Sequence, residues 1–127
     1  MKKSMLLAGL ILLFAAVAHA GATKYDLGNK IMDTRSPHAK ATGFAVVNMS
    51  PNGTTAVSIQ VQIRNAAPET RYTVKSGGVL PGEPTFVTNK NGHGGVHVNL
   101  EDDADLAGVN INVRAVSGNT LVLRGAL

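Results

Sequence analysis

Two histidines four residues apart are the first residues whose spacing suggests chemistry: His93-Gly94-Gly95-Val96-His97. Neutral imidazoles ligate transition metals, and on a helix an i, i+4 pair shares one face. Here, however, Gly92 to Gly95 reads as a turn and His97 as the polar face of a strand, where four residues span about 13 Å. A site would need a further ligand, from His38 or Glu101. The second candidate is Glu101-Asp102-Asp103-Ala104-Asp105, the only acidic cluster. Loops rich in carboxylates hold calcium, and Asp103 and Asp105 supply the alternating donors, yet the Asp-x-Asp-x-Asp-Gly order of a dedicated loop is missing. The same run fits a solvated connection whose Asp caps a short helical turn near Ala104 to Ala107. A metal reading therefore rests on His93, His97, Asp103 and Asp105.

Other chemistry is missing from the sequence. There is no Gly-x-Ser-x-Gly, no His-Glu-x-x-His and no phosphate-cradling Gly-x-x-x-x-Gly-Lys. The chain has no Cys, so thiol nucleophiles, thiolate metal sites and disulfides are excluded. Nearly every ionisable residue falls on the polar side of a strand or in a turn. A catalytic group needs partial burial beside a partner that tunes its pKa. The expectation is a protein that is not an enzyme and holds no cofactor, with calcium or a transition metal as the alternatives.

The first 20 residues have a different character. Lys2-Lys3 is a basic start, Met5 to Val17 an uncharged apolar run, and Ala18-His19-Ala20 a small-x-small cleavage site. This pattern predicts a secretory signal peptide, and the run is too short to span a bilayer. The mature chain would begin at Gly21, secreted or periplasmic, with no integral membrane segment left. Losing Lys2 and Lys3 leaves ten of the twelve basic residues against eight acidic ones. Those ten occur singly, and three Phe and two Tyr make up all the aromatics. Phosphate tracking needs clustered cations and base stacking needs aromatic platforms, so nucleic acid is not an expected partner.

From about Ala41 the chain reads as short strands between turn signals, which predicts an all-β sandwich or barrel. Thr42 to Met49 is the first run. Ser50-Pro51-Asn52-Gly53 suits a hairpin turn, and it carries two formal glycosylation acceptors, Asn48 and Asn52. In Thr55 to Arg64, Val57, Ile59, Val61 and Ile63 alternate with polar residues, a period of two. Arg71 to Lys75, Thr85 to Thr88, Val96 to Leu100, Val109 to Arg114 and Thr120 to Arg124 complete seven strands. Residues 21–40 differ. Their large apolar residues, Tyr25, Leu27, Ile31 and Met32, show no common period, which leaves an added edge strand, a surface arm or disorder.

The stretch Ala67-Pro68-Glu69-Thr70-Arg71-Tyr72-Thr73-Val74 resembles the Pro-x-Thr-x-Tyr-x-Val signature of fibronectin-type-III-like domains. The resemblance implies a Greek-key β-sandwich of about seven antiparallel strands over residues 41–127. It also implies structural roles for Pro68, Thr70 and Tyr72, with the Tyr72 hydroxyl bonding back to the backbone at a crossover corner. Phe86-Val87-Thr88-Asn89 with Gly92-x-Gly94 is similar to small secreted bacterial β-domains of unknown function. A typical type III domain carries a core Trp in an early strand, and this chain has no Trp.

Three functions fit. The first is a secreted or periplasmic non-catalytic binding or structural module. The second is a filament subunit that self-associates by lending residues 21–40 as a strand to a neighbour's open edge. The third is a metal-binding protein or metal-dependent enzyme using His93, His97 and His38.

Overall fold

The computed structural model describes residues 21–51, 55–77, 80 and 82–127, with 101–104 as backbone alone. The expected signal peptide, the acceptor Asn52 and the Asn52-Gly53 turn lie outside the described residues.

Eight strands form: β1 (Ala22–Asn29), β2 (Thr42–Met49), β3 (Ala56–Arg64), β4 (Arg71–Lys75), β5 (Thr85–Val87), β6 (Gly94–Ala104), β7 (Asn110–Ala115) and β8 (Thr120–Ala126). They pair antiparallel in one sheet of order β5-β4-β7-β8-β1-β2-β3-β6. Seven strands follow Ala41 near the expected runs, but Val57, expected inward, is half-buried, because a register shift between Ala56 and Ser58 turns Ser58 inward instead. The inward set of β3 is Ile59, Val61 and Ile63, each at most 1% exposed. Tyr72 and Val74 of β4, Ile111 and Val113 of β7 and Val122 and Leu123 of β8 join it in one core. Each such aliphatic side chain contributes about 1.5–3 kcal/mol on burial. In a chain without disulfides this burial holds the fold.

Residues 21–40 correct the expectation of an edge strand or free arm. Ala22–Leu27 pairs with β2, and Gly28 and Asn29 pair with Arg124 and Leu123 of β8. β1 therefore stands between β2 and β8 in the strand order, each of its residues pairing with one of those two neighbours. Tyr25 and Leu27 do alternate, pointing to the core between Lys24, Asp26 and Gly28. Counting Ile31 and Met32 with them hides that period, because the strand ends at Asn29.

The sheet curls until its two ends meet. β5 and β6 close the strand order at opposite ends, yet they are joined by the turn at 88–93. At Gly94 of β6 a Cβ would come within 2.9 Å of Phe86 Cδ2. Curvature this tight demands bare backbone at the crossings. A Cβ on Gly43 would lie 2.5 Å from Leu123 Cδ1 and 2.7 Å from the Gln62 carbonyl oxygen. Register shifts in β2–β3, β3–β6 and β7–β8 add to the bend.

The acidic segment also departs from expectation. β6 continues through Ala104, so no helical turn forms at Ala104 to Ala107. Ser58 opposes Asn99 while Ala56 opposes Ala104, which places Glu101 to Asp103 in a bulge. The connection shrinks to a turn in which the Val109 N–H donates to the Leu106 carbonyl at 3.0 Å.

Candidate functional site

Asn29, at the end of β1, organises the loop that follows. Its Nδ2 donates to the carbonyls of His38, Ala39 and Ala41 at 3.1, 3.2 and 2.9 Å. Its Oδ1 accepts from the Ile31 N–H at 2.7 Å. One side chain thus folds the 30–41 loop against the sheet and carries His38 onto the corner before β4.

At that corner the Tyr72 side chain is fully buried. Its hydroxyl accepts the Ala67 N–H at 3.1 Å, five residues upstream. The same hydroxyl lies 2.7 Å from His38 Nδ1. With the phenol donating, His38 takes the tautomer protonated on Nε2. The rings continue the contact. His38 meets Tyr72 edge-on at 5.5 Å and Tyr72 stacks on Phe86 at 5.9 Å, both within the favoured aromatic range. Burial pushes the His38 pKa below its ordinary value. Burial also pushes the Tyr72 pKa up, against an opposing pull from the Ala67 hydrogen bond. Both groups are therefore held neutral.

Pro68 and Thr70 shape the same corner. The Thr70 hydroxyl donates to the Pro68 carbonyl at 2.8 Å. The buried Thr88 hydroxyl donates to the Ala67 carbonyl at 2.6 Å and accepts the Thr70 N–H at 2.9 Å. The turn after β5 completes the seam: Ala66 N–H donates to the Gly92 carbonyl at 3.1 Å. Gly92 holds a φ of 77°, and any Cβ there would strike the Ala66 carbonyl. Spacing within 67–74 flagged Tyr72. Nothing local flagged Thr88 or pointed His38 at a phenol 34 residues away.

The metal candidates are not brought together. His93 is exposed on the turn, its N–H donating to Asn89 Oδ1 at 3.0 Å. His97 is exposed on β6 opposite Gln60. Asp105 lies past the far end of β6, where its Oδ1 accepts the Ala107 N–H at 3.0 Å. His38 belongs to Tyr72. The Asp103 side chain lies outside the described residues. Among the described residues no group of three or more potential ligands is close enough to hold a metal ion. The glycosylation acceptor Asn48 lies within β2, where its amide donates to Ser58 Oγ at 2.9 Å.

Recesses mark the surface among the described residues. One is a polar groove over β3 and β6, bounded by Gln60, Gln62, Arg64 and His93. Another is an apolar notch of about 350 Å³ between Tyr25, Met49, Leu106 and Leu127, with Asp105 at its rim. Neither recess is lined by His38 or Tyr72. Among the described residues no helix is long and apolar enough to cross a membrane. Comparison with models of known families, with curated proteins and with solved structures finds no match in any of the three.

Proposed function

We propose that this chain is an exported, non-catalytic β-module that works through its outer surfaces. The observation that carries the reading is the burial of the Tyr72 phenol against a half-buried His38. These are the two described groups with displaced pKa values, and displaced values mark catalytic residues when a substrate can reach them. Here the phenol is fully buried and both of its hydrogen bonds go to the protein itself. The pair fastens a loop to a corner. Export is supported by Lys2-Lys3, the apolar run and Ala18-His19-Ala20. A division of the curled sheet into two facing halves is supported by β1, which pairs with β2 along Ala22–Leu27 and with β8 at Gly28 and Asn29. The Tyr72–Ala67 bond matches the corner role that the type III resemblance implies. Mass spectrometry and fractionation of the native protein test export. The expected product starts at Gly21 outside the cytoplasm, and retention of Met1 to Ala20 on cytoplasmic protein overturns that part. A turnover traced to His38 or Tyr72 overturns the non-catalytic part.

A further inference from the structure

The ten basic residues after position 20 stand singly in the sequence, but strand register gathers four of them. Arg71 and Lys75 stand on the face of β4 opposite the fully buried Tyr72 and Val74. Thr73 between them is covered by the loop to whose Glu83 and Pro84 carbonyls its hydroxyl donates. Residues directly opposite across a strand pair share a face. Thr73 opposes Arg114 and Lys75 opposes Asn112 on β7. Asn112 in turn opposes Arg124 on β8. With strands about 4.8 Å apart and a rise of about 3.3 Å per residue, Arg71, Lys75, Arg114 and Arg124 occupy a patch of roughly 10 by 13 Å.

The three arginines are anchored but not neutralised. Arg114 Nη1 donates to the Asn119 carbonyl at 2.9 Å, and Arg124 Nε donates to Asn112 Oδ1 at 2.6 Å. Arg71 Nη1 reaches Thr85 Oγ1 at 3.5 Å. Each guanidinium has five donors, so most stay available. Among the described residues none of the four cations makes an ion pair. Glu83, on the loop whose carbonyl receives the Thr73 hydroxyl, is exposed and makes none either.

Apolar side chains stand at one end of the same patch. Among the described residues three large hydrophobic side chains are exposed, and two of them flank Arg71. Val87, 50% exposed, is directly opposite Arg71 on β5. Val116, 45% exposed, donates its N–H to the Arg71 carbonyl at 3.1 Å. A soluble polyanion would satisfy the cations and leave the valines in water. A bilayer satisfies both, since cations attract lipid phosphates while apolar tips reach the acyl boundary.

The geometry points to this face as a docking surface for an anionic phospholipid bilayer. Arg71, Lys75, Arg114 and Arg124 meet the phosphates, and Val87 and Val116 enter the headgroup layer. The assignment rests on the non-catalytic surface-binding reading and not on export, which is read separately from the N-terminus of the native protein.

The test is co-sedimentation of the purified chain with vesicles at low salt. The expected result is binding to equal phosphatidylcholine and phosphatidylglycerol at least about tenfold tighter than to phosphatidylcholine alone. R114Q/R124Q should weaken binding about 25-fold, at roughly fivefold per charge. R71Q/K75Q repeats the test should loss of the Arg124–Asn112 bond lower the melting temperature. K24Q/R64Q removes the same charge from the other half-sheet and should change binding less than about twofold. V87S/V116S should weaken vesicle binding and leave binding to heparin unchanged. Equal binding to both vesicles, or equal losses from face and control pairs, overturns the proposal. Heparin binding as tight as vesicle binding, with V87S/V116S changing neither, also overturns it and gives the face to a soluble polyanion.

Discussion

The phenol of Tyr72 and the imidazole of His38 are both kept neutral, so the fold should lose stability at both ends of the pH scale. For His38 the folded pKa lies below its ordinary 6.5, and the unfolded chain binds the proton more readily. Stability is then full above about 6.5 and lost as pH falls toward the folded pKa. For Tyr72 the folded pKa lies above 10.0, so the unfolded chain loses its proton first and stability falls as pH rises past 10. Thermal melts across pH should show both limbs, and His38→Gln should flatten the acid limb alone. An acid limb unchanged in that variant would mean His38 does not sit on Tyr72. Tyr72→Phe leaves the Ala67 N–H without its partner and should cost about 1–3 kcal/mol in denaturant titrations. The corner was legible because its residues lie within eight positions. Its imidazole partner was not, since His38 arrives through Asn29 and a loop.

Elements were legible wherever one face is buried and the other wet. β7, and β3 from Ile59 onward, alternate cleanly because their inward residues are aliphatic or Ala and their outward ones are Gln, Asn or Arg. The far end of β6 was read as a connection, because Glu and Asp are poor strand formers and only pairing with Ala56 holds that backbone extended. The interior place of β1 could not be read from its own composition. It depends on β8 being its other neighbour, a pairing made by only Gly28 and Asn29. Deleting residues 21–40 should therefore abolish the cooperative melt. A well-folded monomer after that deletion would refute an interior β1 and return the segment to the role of an arm. At the neighbouring crossing, Gly43→Ala should cost about 1–3 kcal/mol by overpacking. Trimming Leu123 should rescue it only in part, because the Gln62 carbonyl is backbone and cannot move aside.

At the scale of the molecule, net charge was legible and charge placement was not. Arg71, Lys75, Arg114 and Arg124 belong to three strands, and only knowing which strands are neighbours collects them on one face. The dispersal of His93, His97 and Asp105 has a matching consequence: zinc, calcium or a chelator should leave the melting temperature unchanged. A rise with zinc that His93→Ala or His97→Ala removes would reinstate the metal reading. The seam between β1 and β8 has a consequence in time. Lys30 N–H donates to the Val122 carbonyl at 2.8 Å, so the segment that leaves β1 is fastened to β8. β3 likewise waits for β6, and β4 for β7. Each pairing closes a long loop before any contact rewards it, which slows folding toward the millisecond-to-second range. A ribosome must therefore deliver nearly the whole chain before the first strand finds its second neighbour. Stopped-flow refolding should show that slow closure, and Gly125→Ala, which crowds Leu27 and the Asp26 carbonyl at the seam, should alter its rate.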